Sequence, residues 1–122
     1  MIVEERIYRI RNGAMGRFLK LVAEEALPMQ QPALGNLLGY FTTEIGCLSQ
    51  VVHWWGYADL EDRRLRRQRL AADPRWQAFV PRLSELIEQA ENRILVPTAF
   101  SPLQQLPTGQ AEPGARPVPP KE

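Results

Sequence analysis

The chain of 122 residues and 13.9 kDa has the size of one small domain. Its 15 basic and 14 acidic residues leave a formal charge of +1, so no global field argues for nucleic acid or an anionic membrane. A single cysteine, Cys47, excludes an intramolecular disulfide and any multi-cysteine metal site, and it fits a reducing cytoplasm.

The chain opens on Ile2-Val3-Glu4-Glu5-Arg6-Ile7-Tyr8, without a basic region ahead of an apolar stretch, so no signal peptide is expected. No segment reaches the length of a membrane span. Residues 2–10 are rich in Ile, Val and Tyr and run into the turn pair Asn12-Gly13, which predicts a strand. Over 14–27 the apolar residues Met15, Phe18, Leu19, Val22 and Ala26 recur at helical spacing, and Pro28 and Pro32 are expected to close that helix.

Two runs, 37–45 and 50–57, flank Gly46-Cys47-Leu48-Ser49 and read as a hairpin. Asp59 stands where a cap belongs for a charged helix over 60–72. Asp73-Pro74 starts another, with Trp76, Phe79, Val80, Leu83, Leu86, Ile87 and Ala90 as its apolar stripe. Pro81 should kink or divide that helix, and 91–97 reads as a last strand. Residues 1–103 then form the domain, and 104–122 a proline-rich tail too polar to bury itself, expected to be extended or disordered. The order strand, helix, strand, strand, helix pair, strand is the βαββαβ pattern of a ferredoxin-like α+β sandwich.

The run Val51-Val52-His53-Trp54-Trp55-Gly56-Tyr57 is the most informative. Alternation puts Val51, His53, Trp55 and Tyr57 on one face and Val52, Trp54 and Gly56 on the other. Both faces are apolar, while the helices supply about one covering layer, so a second copy of the chain is expected to supply the other. Gly56 suits close approach of a helix, which assigns its face to the helices and the His53 face to the second copy. If Val3 and Ile7 go to the helices, Glu4, Arg6 and Tyr8 join His53, Trp55 and Tyr57 on that face. A hairpin loop of two or four residues adds Tyr40 and Thr42, whereas one of three would substitute Phe41 and Thr43. An aromatic lining with a few titratable groups suits a cavity for a small apolar or aromatic molecule. Taken singly, the same residues also fit a structural role, Glu4 and Arg6 as an ion pair and His53 as a hydrogen-bonded core residue. Arg63 and Arg67 stand one turn apart on a helix, either as an anion clamp or as a solvated face balanced by Glu61, Asp62 and Asp73, and the neutral overall charge favours the second.

The opening strand, Leu38-Gly39-Tyr40-Phe41-Thr42-Thr43-Glu44-Ile45-Gly46, Val51 to Tyr57, Asp62-Arg63 to Arg67, Asp73-Pro74-Arg75-Trp76 and Asn92-Arg93-Ile94-Leu95-Val96-Pro97 together resemble the NIPSNAP family over roughly residues 2–103. The resemblance implies a dimeric α/β barrel built from two ferredoxin-like sheets. Its relatives by fold include cofactor-independent monooxygenases, EthD-like proteins and haem-degrading or haem-binding enzymes. It also implies that Arg63 and Arg67 are typical of the family, which hints at a structural ion pair. A reaction does not follow from fold kinship.

P-loop, Rossmann and nucleophile-elbow patterns are absent, and one histidine with one cysteine does not make a usual zinc site, so no metal or cofactor is expected. Whether the chain is an enzyme stays open. If it is, His53 would be the acid/base, with Tyr8, Tyr40 or Tyr57 polarising a carbonyl or phenol oxygen. The alternative is a non-catalytic interaction module whose barrel is only a dimer core. Haem ligation by His53 ranks below both.

Overall fold

The computed structural model of the protein describes residues 1–107. The chain runs through β1 (Ile2–Ile10), α1 (Met15–Leu21), a π-helical turn (Val22–Ala26) and α2 (Leu27–Leu34). It continues through β2 (Asn36–Thr42), β3 (Gln50–Tyr57), α3 (Leu60–Ala71), α4 (Pro74–Ser84) and β4 (Ile87–Leu95). All three strand pairings are antiparallel, and the sheet order β2-β3-β1-β4 is the ferredoxin-like one. No helix among the described residues is long and apolar enough to cross a membrane.

The first helix does not stop at its prolines. The backbone N–H of Leu27 bonds the carbonyl of Val22, one residue further back than an α-helix allows, and this widened turn makes room for the Pro28 ring. The helix then passes Pro32 and ends at Gly35, whose φ of +88° is the left-handed backbone that glycine adopts without strain. The caps on the second helical pair are as expected: Asp59 accepts from the N–H of Asp62, and Asp73 from that of Arg75. Pro81 does not divide α4 into two helices. The helix runs on to Ser84 and β4 begins at Ile87, so Ile87 and Ala90 belong to a strand rather than to the helical stripe.

All helices cover one face of the sheet. Ile10, Phe18, Val22, Ala26, Val51, Phe79, Leu83 and Leu86 form one buried cluster, and Ala33, Leu34, Trp55, Tyr57 and Leu70 the other. Burying a residue such as Phe18 completely stabilises the fold by about 1.5–3 kcal/mol.

This packing reverses the expected faces. The side bearing Val51, His53, Trp55 and Tyr57 meets the helices, not a second copy. Gly56 misled because its bare Cα is used by another neighbour: a Cβ there would lie 2.6 Å from Cδ2 of Leu106 and 3.2 Å from Cδ1 of Leu38, on the side away from the helices. That outer face carries Ile7, Phe41, Val52 and Trp54, and on it the Trp54 indole N–H and Arg93 both donate to Glu5. Of the proline-rich tail expected over 104–122, residues 108–122 lie outside the described residues.

Candidate functional site

Strand register brings the site together. Arg6 stands opposite His53, Glu4 opposite Trp55, Tyr8 opposite Val51 and Tyr40 opposite His53, so all of these residues share the helix-facing side. Beneath α2, α3 and α4 this side leaves a cavity of about 500 Å³. Arg6, Tyr8, Tyr40, His53 and Trp55 are on its wall. Glu4 and Tyr57 are not, and stand behind it. The helices complete the enclosure with Val22, Ala26, Leu34, Arg67, Leu70, Trp76, Val80 and Leu83. Val22 and Ala26 belong to the π-helical turn, so the wider turn that accommodates Pro28 also shapes the wall.

His53 is 2 % exposed and sandwiched. Tyr40 stacks on it with centroids 4.4 Å apart, and Tyr8 meets its face edge-on at 4.9 Å. The Trp55 indole donates to Nδ1 at 2.9 Å. An indole nitrogen only donates, so Nδ1 holds a lone pair and the proton of the neutral ring sits on Nε2. Nε2 is buried and has no partner among the described residues. Burial, and then the charge of Arg6, push the His53 pKa down to about 3 against a smaller opposing pull from Glu4, so the ring is neutral at ordinary pH. This geometry leaves no free ring lone pair for a base, nor one for an iron atom. It offers a fixed donor instead.

Behind the wall Glu4 is completely buried and gathers cations. It accepts from Asn92 at 2.7 Å, Arg63 at 2.8 Å and Arg6 at 3.0 Å, and Arg67 lies 4.0 Å from its second oxygen. Burial alone would raise the Glu4 pKa. The bonds from Arg63 and Asn92 and the charges of Arg6 and Arg67 overcome this and hold it at about 2. Arg63 and Arg67 thus turn inward to Glu4 rather than outward to Glu61, Asp62 and Asp73, which are paired with Arg64, Arg66 and Arg75. The Tyr57 hydroxyl is buried without a hydrogen-bond partner among the described residues, and burial, reinforced by Glu4, pushes its pKa up to about 12. Burial likewise raises the pKa of Tyr40. Neither tyrosine is a phenolate near neutrality.

Sequence reasoning missed the helical half of the wall and Asn92. Part of the helical half had a readable signal, since Trp76, Val80 and Leu83 are stripe residues. Asn92 had none, because its bond to Glu4 spans 88 positions.

The NIPSNAP family model matches residues 3–102. Protein NipSnap homolog 1 of Danio rerio is 39% identical over 103 residues, which are 84% of this chain and 36% of that protein. Protein NipSnap homolog 2 of Mus musculus is 34% identical over the same share of this chain and 36% of its own length. The chain therefore spans about a third of these curated relatives. Among solved structures, a NIPSNAP family protein from Agrobacterium tumefaciens is 68% identical with a TM-score of 0.83, covering 84% of this chain and 98% of that one. An antibiotic biosynthesis monooxygenase, 16% identical with a TM-score of 0.58 over 80% of this chain and 99% of its own, shares the fold alone.

Proposed function

The chain belongs to the NIPSNAP family, and from that premise we propose that it is a binding module for a small apolar or aromatic molecule held between sheet and helices within each protomer. The observation that carries this reading is the cavity of about 500 Å³, with its aromatic and aliphatic walls and a buried, unpartnered His53 Nε2. Ligand sites have this character: mostly apolar, with a few placed polar groups. The lining supports holding and polarising an oxygen atom. It does not support proton abstraction by the ring.

The outer face of the sheet, with Ile7, Val52 and Trp54 half-buried and Phe41 48% exposed, supports a homodimer that joins two sheets into an α/β barrel. In this reading the barrel is the dimer core and the ligand site is separate from it. The exposed, free Cys47 suits a reducing cytoplasm.

Native mass spectrometry of gently purified protein tests the cavity. The wild type carries a small non-covalent adduct, and Val80→Trp, which fills the space from α4, loses it. An adduct retained by Val80→Trp contradicts this site.

A further inference from the structure

Resting on the cavity reading above, we infer that the ligand is an acid, an apolar body ending in an anionic oxygen group that Arg6 and Arg67, both on the cavity wall, receive. The polar groups gathered around His53 are donors. Its Nε2 carries the ring proton, because Nδ1 already accepts from the Trp55 indole, and that N–H is buried with nothing to bond. The Tyr8 hydroxyl oxygen accepts from Arg6 Nε at 2.9 Å, which turns the Tyr8 proton outward as a further donor. A guanidinium has no acceptor at all. A ligand group that satisfies the guanidiniums and the Tyr8 proton must bring lone pairs rather than protons.

Charge points the same way. Three guanidiniums, Arg6, Arg63 and Arg67, surround the single carboxylate of Glu4. Arg63 is committed to Glu4 at 2.8 Å, whereas Arg67, at 4.0 Å from Glu4, makes no hydrogen bond among the described residues and lies on the cavity wall with Arg6. Glu88 is the wall's one carboxylate among these residues, and it is exposed rather than buried. The wall therefore carries two guanidiniums that share one buried carboxylate with Arg63, and an oxygen anion beside the partly exposed Arg6 and Arg67 gains charge-assisted hydrogen bonds. A neutral hydrocarbon of the same shape fills the apolar part and brings no acceptor to Arg6 and Arg67. A cation is repelled.

Isothermal titration calorimetry of the full chain at pH 7 tests this with two probes of matched size, 2-naphthoate and 2-isopropylnaphthalene. Wild type should bind the carboxylate at least about tenfold more tightly, a difference of about 1.4 kcal/mol. Arg67→Met, at a position far enough from the core to fold, should erase the preference while keeping affinity for the hydrocarbon. Equal affinity of the two probes for wild type, or a preference that survives in Arg67→Met, overturns the acid assignment and leaves the cavity standing. Failure of both probes to bind overturns the cavity reading, and this inference with it.

Discussion

The indole of Trp55 donates to Nδ1 of His53 at 2.9 Å, and this one bond decides the chemistry of the only histidine in the chain. Both side chains project from β3 toward the helices, two residues apart, as strand alternation requires. With Nδ1 occupied, the ring proton sits on Nε2, which is buried without a partner among the described residues. Trp55→Phe removes the donor and leaves a buried acceptor unmatched. We expect a loss of about 2–3 kcal/mol in chemical denaturation, from the unmade bond and the smaller ring. It should also bring a mixture of His53 tautomers.

Glu4 holds β1, α3 and β4 together through Arg6, Arg63 and Asn92. Removing a wholly buried carboxylate strands the guanidiniums around it. Glu4→Ala should cost about 3–5 kcal/mol by urea denaturation. The exposed Arg82–Glu25 pair is the control, and Arg82→Ala should be far milder although its bond is 2.7 Å.

Acid should unfold the protein in two overlapping stages. His53 has a folded pKa near 3, below its ordinary 6.5, so between those values the unfolded chain takes up a proton that the native state refuses. Stability is intact above pH 6.5 and falls by up to about 1.4 kcal/mol per pH unit below it. Glu4, held near 2 instead of 4.5, adds a second loss between pH 4.5 and 2. The groups facing these two are Arg6, Tyr8, Tyr40, Arg63 and Arg67. Thermal melts from pH 8 to 3 check the slope, and a flat profile between pH 6.5 and 4.5 contradicts the His53 part.

Much of the fold was legible because local signals matched tertiary demands. The alternation in Val51–Tyr57 grouped His53 with Trp55 and Tyr57, Asp59 and Asp73 marked two helix starts, and the strand order followed from the element order. The direction in which the His53 face points was not legible. Alternation sorts residues into two sets but carries no label for the layer each set meets, and Gly56, the tie-breaker, was serving Leu106 and Leu38 instead of a helix. Proline punctuation also misled at Pro28, since a π-helical turn absorbs it. The grouping of Glu4, Arg6, Tyr8 and Tyr40 with the His53 face survived that reversal because register ties them to β3 and they turn over with it.

The outer face gives a separate prediction. If two sheets meet through Ile7, Phe41, Val52 and Trp54, then Phe41→Lys places a charge in that interface and should yield monomers in light scattering, where wild type has twice the 13.9 kDa chain mass. Because Phe41 does not line the cavity, 2-naphthoate should still bind the monomer. Loss of binding on dissociation would show that the site needs both copies.

The most direct test of the account is the nitrogen-15 spectrum of the single histidine, recorded with long-range proton correlation from pH 7.5 to 4.5. A neutral ring protonated on Nε2 throughout this range is the predicted result. A ring that titrates near 6.5, or one protonated on Nδ1, would contradict the buried donor on which the site is built.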